Sequence, residues 1–316
     1  MTRRVLVTGG AGFVGSHVAD RLVDDGDEVH VLDDLSVGSR DRLPDDASLH
    51  RIDLRDRDAV LDCVEDVDPD AAIHLAALHY IPYCNDNPEE AFDVNVMGTR
   101  HLLEACRIRT DGLDGLVYAS TAAVYPPRED HHAVGDTVDP MDVYGRTKLA
   151  GEDLLSLHAR RTGDPATALR LFNVFGTRET NPHLIPAILD QLEDGSRAVE
   201  LGNLSPQRDF VHVTDVARAV TSALDAGGGA DATDEGAAVY NVGTGEPRSV
   251  REVVAAVGEA LGDEIAIEQD EDRVRESDRP FLAADTAGIR RDLGWKPAVD
   301  FVAGLEELLR ERGIGE

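Results

Sequence analysis

Short apolar runs alternate with longer amphipathic stretches along the first half of the chain. Such runs are typical of parallel strands that are covered on both faces, and the amphipathic stretches are typical of the covering helices. Strands are predicted at residues 5–7, 28–32, 49–52, 71–75 and 116–120, and helices after residue 12 and at 56–67, 88–109 and 144–161. This alternation predicts an α/β fold built on a doubly wound parallel sheet.

A glycine-rich turn follows the first strand. The segment T-G-G-A-G-F-V-G satisfies both G-x-x-G-x-x-G and G-x-G-x-x-G, and an amphipathic helix comes directly behind it. Such a turn lets the backbone approach a pyrophosphate closely, while the N–H groups at the helix N-terminus point at it. The predicted contacts are Gly9, Gly12, Phe13, Val14 and Gly15.

The second strand ends in an acidic residue, Asp33, about twenty residues after the glycines. A carboxylate there can accept hydrogen bonds from both ribose hydroxyls, and it disfavours a 2′-phosphate. The polar loop that follows, with Asp34, Leu35 and Ser36, would lie near the adenosine. The pattern predicts a Rossmann-type site that binds NAD rather than NADP.

The ends of the third and fourth strands supply further candidate contacts. Asp53 and Leu54 could flank an adenine ring, although solvation of Asp53 is nearly as compatible with so acidic a chain. Small residues after the fourth strand would let the cofactor lie close to the backbone at the carboxyl edge of the sheet. These residues are Leu75, Ala76 and Ala77.

Two polar residues near this edge have more than one interpretation. His79 is a candidate phosphate or nicotinamide contact. Asn95, on the helix at 88–109, is either a satisfied core amide or an anchor for the catalytic strand.

Four residues carry the candidate chemistry. Tyr144 and Lys148 stand four apart at the start of a helix, which places both side chains on one face. A tyrosine that acts as a base near neutral pH needs its pKa lowered from about 10, and a neighbouring ammonium together with an oxidised nicotinamide would lower it. Ser120 ends the strand at 116–120 and Thr121 follows it, so the carboxyl end of this strand carries two hydroxyls.

The charge of the chain indicates its surroundings. There are 62 acidic and 31 basic residues, a net charge of −31, and Lys148 and Lys296 are the only lysines. Such a surface repels nucleic acid and anionic membranes and is similar to that of proteins adapted to a high-salt cytoplasm. We therefore expect a halophilic protein without a nucleic-acid or membrane partner.

Cysteine spacing and hydropathy indicate a reduced compartment. Cys63, Cys84 and Cys106 are odd in number and lack C-x-x-C spacing, so neither a disulfide framework nor a metal site is predicted. The N-terminal apolar run is too short for a signal peptide, and the uncharged stretch at 71–83 is too short to span a bilayer. A soluble cytoplasmic protein is expected.

Several motifs in order resemble a known family. They are T-G-G-A-G-F-V-G, L-D-D-L-S, H-L-A-A, S-T-A-A-V-Y, Y-G-R-T-K, R-L-F-N-V-F-G-T-R, H-L-I-P, R-D-F-V-H-V-T-D-V-A, Y-N-V-G-T-G, R-E-S-D and L-G-W-K-P. The chain is similar over essentially its whole length to the extended short-chain dehydrogenase/reductases, specifically the NAD-dependent sugar-nucleotide epimerase/dehydratase family. The motifs are more specific for the family than for its substrate.

The resemblance implies a domain division. Residues 1–172 would form the NAD-binding Rossmann domain, to which 213–236 return, beginning with a helix at 213–224. Residues 173–212 and 237–316 would form a smaller mixed α/β domain that binds the nucleotide-sugar. Residues 225–236 would be a glycine-rich connector, and the helices at 88–109 and 143–161 would pair with their copies in a homodimer.

The resemblance also implies roles for residues in the second half of the chain. Phe172 would contact the cofactor. The residues that would face the nucleotide-sugar, which is expected to be UDP-linked, are Asn173, Arg178, Arg208, Arg275 and Asp278. Arginine forks match the oxygens of a diphosphate, and Asp278 would bind the ribose of the nucleotide.

The residues after Thr121 reduce the number of reactions that the site could catalyse. Dehydratases and decarboxylases of this family carry acidic residues there, whereas this chain has Ala122 and Ala123, which cannot move a proton. This favours oxidation at C4 of a UDP-sugar followed by return of the hydride, that is, 4-epimerisation, and leaves the epimer pair open. The alternatives are a reductase or dehydrogenase of the same family and, from another class, a non-catalytic NAD-binding protein.

Overall fold

The computed structural model describes residues 2–108, 112–179, 181–227, 236–270 and 279–315. The strands in these residues are β1 (Arg4–Thr8), β2 (Glu28–Asp33), β3 (Ser48–Arg51), β4 (Ala71–His74), β5 (Gly115–Thr121), β6 (Ala166–Leu171), β7 (Asn173–Phe175), β8 (Ala198–Leu201), β9 (Gln207–His212), β10 (Ala238–Val242), β11 (Pro247–Ser249), β12 (Ala266–Gln269) and β13 (Phe281–Leu282). The helices are α1 (Phe13–Asp24), α2 (Arg57–Val67), α3 (Ile81–Asp86), α4 (Pro88–Phe92), α5 (Gly98–Ile108), α6 (Val143–Thr162), α7 (Leu184–Leu192), α8 (Val213–Asp225), α9 (Val250–Leu261), α10 (Ala287–Leu293) and α11 (Phe301–Glu311).

Seven strands form one parallel sheet in the order β10-β6-β5-β4-β1-β2-β3. Strand β1, next to the central strand β4, places Val5 opposite Val29 of β2 on one side and Ala71 of β4 on the other. The chain builds the sheet outward in both directions from β1, which confirms the predicted doubly wound Rossmann-type fold. In such a sheet ligands bind beyond the carboxyl ends of the strands at the switch point, here between β1 and β4.

Helices cover both faces of this sheet. On one face α1 and α8 pack through residues such as Val18, Leu22 and Val220. On the other face α2, α5 and α6 pack through residues such as Leu102 and Leu155. Because both faces are covered, β4 and β5 are buried along their whole lengths.

The smaller unit has mixed strand directions, as predicted. Strand β9 pairs antiparallel with β11 and parallel with β7 and β13, and β8 pairs parallel with β12. Helices α7, α9 and α11 close over these strands around a core that includes Phe175, Leu192, Val257 and Leu305. This unit therefore has its own hydrophobic core next to the edge of the large sheet.

One segment lies in a different unit from the one that the sequence indicated. Residues 237–316 were all assigned to the smaller domain, but β10 pairs with β6 and completes the large sheet, with Ala238 opposite Thr167. Tyr240 and Val242 of this strand pack in the core of the large sheet together with Trp295. The glycine-rich connector therefore precedes a strand of the first domain, and most of it, residues 228–235, lies outside the described residues.

Candidate active site

The glycine turn lies at the carboxyl end of β1, at the switch point of the sheet. Gly9 has a φ of 70°, and a Cβ there would lie 2.6 Å from the backbone nitrogen of Ala76. Helix α1 starts at Phe13 after Gly12, and no side chain caps its first N–H groups. Val14 packs on the core behind the turn. A close-packed glycine turn followed by an uncapped helix N-terminus fits the pyrophosphate of a dinucleotide.

Gly15 sets the distance between α1 and the turn. A Cβ on Gly15 would lie 2.1 Å from the carbonyl oxygen of Gly9 and 2.7 Å from Cα of Gly10. Replacing Gly15 with alanine is expected to lower the free energy of unfolding by about 1–3 kcal/mol through overpacking and to weaken NAD binding, measured by denaturant unfolding and calorimetric titration. Gly135→Ala is the matched control, since a Cβ there meets no atom within 4 Å. Equal NAD affinity of both variants would contradict this role.

Asp33 ends β2 and is bound to the glycine turn. Its Oδ2 accepts a hydrogen bond from Ala11 N at 3.0 Å, and its Oδ1 accepts one from Leu35 N at 2.9 Å. The next loop closes on itself, since Asp34 Oδ1 accepts from both the backbone nitrogen and the hydroxyl of Ser36. Burial raises the pKa of Asp33. Each carboxylate oxygen retains a lone pair, so Asp33 can hold the turn in place and also accept from ribose hydroxyls.

The two residues predicted to flank an adenine are turned to different sides. Both oxygens of Asp53 accept hydrogen bonds from the Arg55 guanidinium, which lowers the pKa of Asp53. Leu54 is buried in the core under α5, and a Cβ on Gly98 would lie 2.9 Å from the Cβ of Leu54. The prediction for Leu54 is wrong, because its side chain packs the helix onto the sheet.

The segment after β4 carries two alanines, so its backbone lies accessible at the switch point. Its predicted cofactor contacts, all half-buried, are Leu75, Ala76 and Ala77. The first of them donates a hydrogen bond through its backbone nitrogen to the carbonyl oxygen of Thr8 at 3.1 Å, which holds the segment beside the glycine turn. His79 is exposed, and its ring contacts the side-chain amide of Asn181.

Asn95 lies in a π turn, Asp93–Met97, that joins α4 to α5, so that residues 88–108 run as one helix. Its Oδ1 accepts from Leu78 N at 2.8 Å, while its Nδ2 donates to Leu78 O at 2.8 Å and to Thr147 Oγ1 at 2.9 Å. The Thr147 hydroxyl donates in turn to the carbonyl oxygen of Tyr144. Both amide hydrogens are therefore used inside the protein, where Asn95 anchors α6 to the segment after β4.

Tyr144 and Lys148 lie one turn apart near the start of α6. Tyr144 lies beside Thr121, the last residue of β5, and the Thr121 hydroxyl accepts from Ala123 N at 3.1 Å. Lys148 is buried, with its Nζ 4.7 Å from the centroid of the Tyr118 ring. The structure therefore brings three of the four predicted catalytic residues together, a phenol, a hydroxyl and an ammonium.

The predicted nucleotide-sugar contacts lie on the smaller unit or outside the described residues. Asn173 begins β7 and is half-buried. Arg208 lies on β9, where its Nη1 donates to the carbonyl oxygen of Arg279 at 2.6 Å. Arg275 and Asp278 lie outside the described residues, so their role stays a prediction.

Two further predictions are corrected by the packing. Arg178 donates through Nη1 to Asp20 of α1 at 2.8 Å and to the carbonyl oxygen of Arg42 at 3.2 Å. It thus holds its loop against α1 rather than pointing into the cleft. Phe172 is buried in a cluster with Tyr125 and Leu282, so its ring packs against these side chains rather than lying open in the cleft.

The order of these groups along the chain matches a known family. A sequence model of the NAD dependent epimerase/dehydratase family matches residues 5–243. This span includes the glycine turn, Asp33, Thr121, Tyr144 and Lys148. The chain belongs to the NAD dependent epimerase/dehydratase family. Its glycine turn, uncapped helix and ribose-facing carboxylate fit the NAD that this family uses.

Relatives within the epimerase/dehydratase family are similar over nearly the whole chain. The UDP-glucose 4-epimerase of Streptomyces lividans is 35% identical over 313 residues, covering 94% of this chain and 92% of that protein. The low-salt glycan biosynthesis protein Agl12 of Haloferax volcanii is 36% identical over 312 residues, covering 96% of each. The crystal structure of the Thermus thermophilus UDP-glucose 4-epimerase in complex with NAD superimposes with a TM-score of 0.85 at 32% identity, covering 98% of this chain and 99% of that chain.

Burial disfavours the charged forms of both Tyr144 and Lys148. It raises the pKa of Tyr144 above its usual value and lowers the pKa of Lys148 to about 7. The sequence predicted a lowered pKa for Tyr144 from the neighbouring ammonium. In the protein alone this lowering is absent, because burial also destabilises the charge on Lys148. A further positive charge in the site is required to make Tyr144 a base.

The lowered pKa of Lys148 predicts a pH dependence of stability. Between pH 7 and the ordinary lysine pKa of about 10.4, the unfolded chain holds this proton and the folded one does not, so stability rises with pH. Below pH 7 Lys148 is protonated in both states, and the burial cost of its charge is fully present. Lys148→Met should remove this slope when unfolding of the cofactor-free protein is followed between pH 6 and about 9.5, below the tyrosine range. The same slope in both proteins would contradict the assignment.

The fourth predicted catalytic residue, Ser120, faces a buried ion pair that the sequence did not reveal. Its hydroxyl donates to Glu152, whose carboxylate also accepts from Arg170 Nε at 2.9 Å and from Arg170 Nη2 at 2.7 Å. The side chains of the pair are only 8% and 6% exposed. Ser120 therefore secures the end of β5 to α6, and Thr121 is the hydroxyl that remains beside Tyr144.

Proposed function

We propose that this epimerase/dehydratase family member is a UDP-sugar 4-epimerase that reuses its NAD in each turnover. The observation that carries the proposal is a tyrosine and a threonine hydroxyl at one point of the site, with alanines where further proton transfer would need acids. The names of the relatives in S. lividans and T. thermophilus support the same activity.

Tyr144 and Thr121 are suited to hold one sugar oxygen. Tyr144 would take the proton of the C4 hydroxyl and later give it back, as a general base and then a general acid. Thr121 would hydrogen-bond the same oxygen and keep it in line with the phenol. NAD, when bound, supplies acceptance and return of a hydride. Lys148 adds positive charge near the phenol when it is protonated, and the oxidised nicotinamide of bound NAD would supply the further charge that favours ionised Tyr144.

The residues after Thr121 argue against dehydration. Ala122 and Ala123 are buried at the start of the turn that follows β5. Elimination of water needs an additional acid and base beside the sugar, and these positions supply neither. Return of the hydride to the other face of the 4-keto sugar therefore remains the reaction that the groups present can complete.

The proposal is tested by incubating the purified protein in high salt with UDP-glucose, UDP-glucuronate and UDP-N-acetylglucosamine without added cofactor. We expect one of them to yield its 4-epimer while the total UDP-sugar stays constant, as resolved by chromatography. Absence of an epimer from all three, also with excess NAD, would overturn it. Consumption of NADH with 4-keto sugars would then indicate a reductase.

We also propose that the nucleotide diphosphate lies beside Arg208, with Arg275 and Asp278 completing its site. A guanidinium offers a planar fork to phosphate oxygens, and Arg208 lies on β9, which pairs with β7, the strand that begins with Asn173. Asn173, at the start of β7, would contact the sugar. In an acidic protein such arginines are needed to bring an anionic substrate to the cleft.

A homodimer is proposed from the outer faces of α4 to α6. Phe92, Met97 and Leu157 are large apolar side chains that are each more than a third exposed on these neighbouring helices. Association of two copies through this surface would bury them. Light scattering should give twice the chain mass, and Phe92→Asp should shift it toward the monomer; a monomeric wild type would contradict the proposal.

We further propose that the protein works in a salt-rich cytoplasm. Its net charge of −31 would be strongly self-repulsive in dilute buffer and screened in molar salt. None of the helices in the described residues is long and apolar enough to cross a membrane. Thermal unfolding in molar KCl should occur at much higher temperature than in dilute buffer, and unchanged melting would contradict the proposal.

A further inference from the structure

Arg279 donates hydrogen bonds to three acceptors beside the catalytic groups. Its Nη1 lies 2.9 Å from the carbonyl oxygen of Tyr125, and its Nη2 lies 3.2 Å from that of Ala123 and 3.4 Å from Asp142 Oδ2. The side chain is only 13% exposed. A guanidinium spread over two carbonyls and a carboxylate is fixed in orientation, since its donors form a rigid planar fork.

The three acceptors lie on the two segments that present the reacting side chains. Ala123 lies two residues after Thr121, and its backbone nitrogen donates to the Thr121 hydroxyl. Asp142 caps α6, where its Oδ1 accepts from Gly145 N at 2.7 Å, and Tyr144 is the second residue of that helix. The two segments also touch directly, because a Cβ on Gly145 would lie 2.6 Å from the carbonyl oxygen of Ala123. Arg279 therefore holds together the turn that carries the hydroxyl and the helix that carries the phenol.

The backbone of Arg279 is tied to the smaller unit. Its carbonyl oxygen accepts from Arg208 Nη1 at 2.6 Å. The next residue, Pro280, accepts from Gln207 N at 2.9 Å, and Leu282 lies opposite Arg208 in the pairing of β13 with β9. The main chain of Arg279 thus contacts β9, where we place the diphosphate. Its side chain contacts the two segments that carry Thr121 and Tyr144.

We propose that Arg279 is a positioning residue that couples the diphosphate side of the cleft to Thr121 and Tyr144. The inference rests on the proposed function for its substrate. Binding of the diphosphate at Arg208 would act on the carbonyl of Arg279 and, through its guanidinium, on the spacing of the two catalytic hydroxyls. Binding energy from the diphosphate, which does not react, would then help to position the groups that react at C4. Loss of Arg279 should therefore lower kcat more than it raises KM.

The test compares Arg279→Met and Arg279→Lys with wild type in steady-state epimerisation of the UDP-sugar identified above. A misplacement of about 1 Å costs about 100-fold in rate, so we expect Arg279→Met to lower kcat by about that factor while KM stays near the wild-type value. Lysine retains three donors and should recover most of kcat. Arg197→Met is the matched control, because Arg197 donates to Asp263 and to two backbone carbonyls far from the cleft.

The outcomes separate the two proposals. An unchanged kcat of Arg279→Met, or a rise in KM that accounts for the whole loss, would overturn the positioning role while leaving the epimerase assignment intact. If wild type epimerises nothing, the proposed function fails. Hydrogen exchange then tests whether Arg279 links the two segments. Faster exchange of residues 121–125 and 142–146 in Arg279→Met, largely restored in Arg279→Lys and unchanged in Arg197→Met, supports the link; exchange in Arg279→Met equal to that of wild type overturns it. If the methionine variant does not fold, Arg279→Gln takes its place in both comparisons.

Discussion

Replacement of Tyr144 by phenylalanine is expected to lower kcat for epimerisation by about 100- to 10,000-fold, the range that a positioned general acid or base contributes. The variant keeps the ring and removes only the hydroxyl beside Thr121. Folding and NAD content should therefore stay close to wild type. Chromatographic rates at saturating UDP-sugar, with NAD content from absorbance, measure both.

Tyr83→Phe is the matched control for this prediction. Its hydroxyl is exposed and donates to Glu90 at 2.7 Å, away from the switch point. It should epimerise at the wild-type rate. If Tyr144→Phe keeps a rate comparable to that of Tyr83→Phe, another group carries the proton and the mechanism proposed above fails.

Arg170→Met is expected to give the largest loss of stability, about 3–5 kcal/mol in the free energy of unfolding. The variant leaves Glu152 as an uncompensated charge between β5 and α6. It also removes the donor to the Tyr125 hydroxyl, which Arg170 Nη1 contacts at 2.9 Å. Denaturant unfolding in high salt measures the change.

Two comparisons decide whether burial causes this effect. Adding Glu152→Leu to Arg170→Met should recover part of the loss, since the unpaired carboxylate is gone. Arg57→Met should change stability little, although Arg57 and Glu104 make a two-point contact of the same kind, because that pair is exposed. Equal losses in Arg57→Met and Arg170→Met would contradict the argument.

The parts of the site that the sequence predicted are those encoded by local spacing. The glycine turn, the acidic strand end at Asp33 and the four-residue step from Tyr144 to Lys148 each lie within one strand–turn–helix unit. Their geometry follows from the periods of helix and strand. The parallel sheet was predictable for the same reason, since short apolar runs separated by helices leave few alternatives.

The remaining parts depend on contacts between distant segments. The guanidinium of Arg279 reaches a carbonyl 154 residues away, and no pattern within either segment indicates this contact. Adjacent residues after a strand point to opposite sides, so Leu54 is buried in the core while Asp53, its half-buried neighbour, binds Arg55. The role of Ser120 could not be read from its position, since the ion pair it meets joins Glu152 of α6 to Arg170 of β6, the strand that pairs with β5.

The π turn at Asp93–Met97 has a consequence for changes in chain length. A π turn accommodates one residue more than the regular helix around it, so deleting one of residues 93–97 would convert it to a regular helix and leave the buried face of α5 in place. The loss would be local, because Asn95 would move away from Leu78 and Thr147. A deletion later in α5 has no extra residue to remove and would rotate the residues after it by about 100°, so the same change in length should be tolerated better inside the π turn than beyond it.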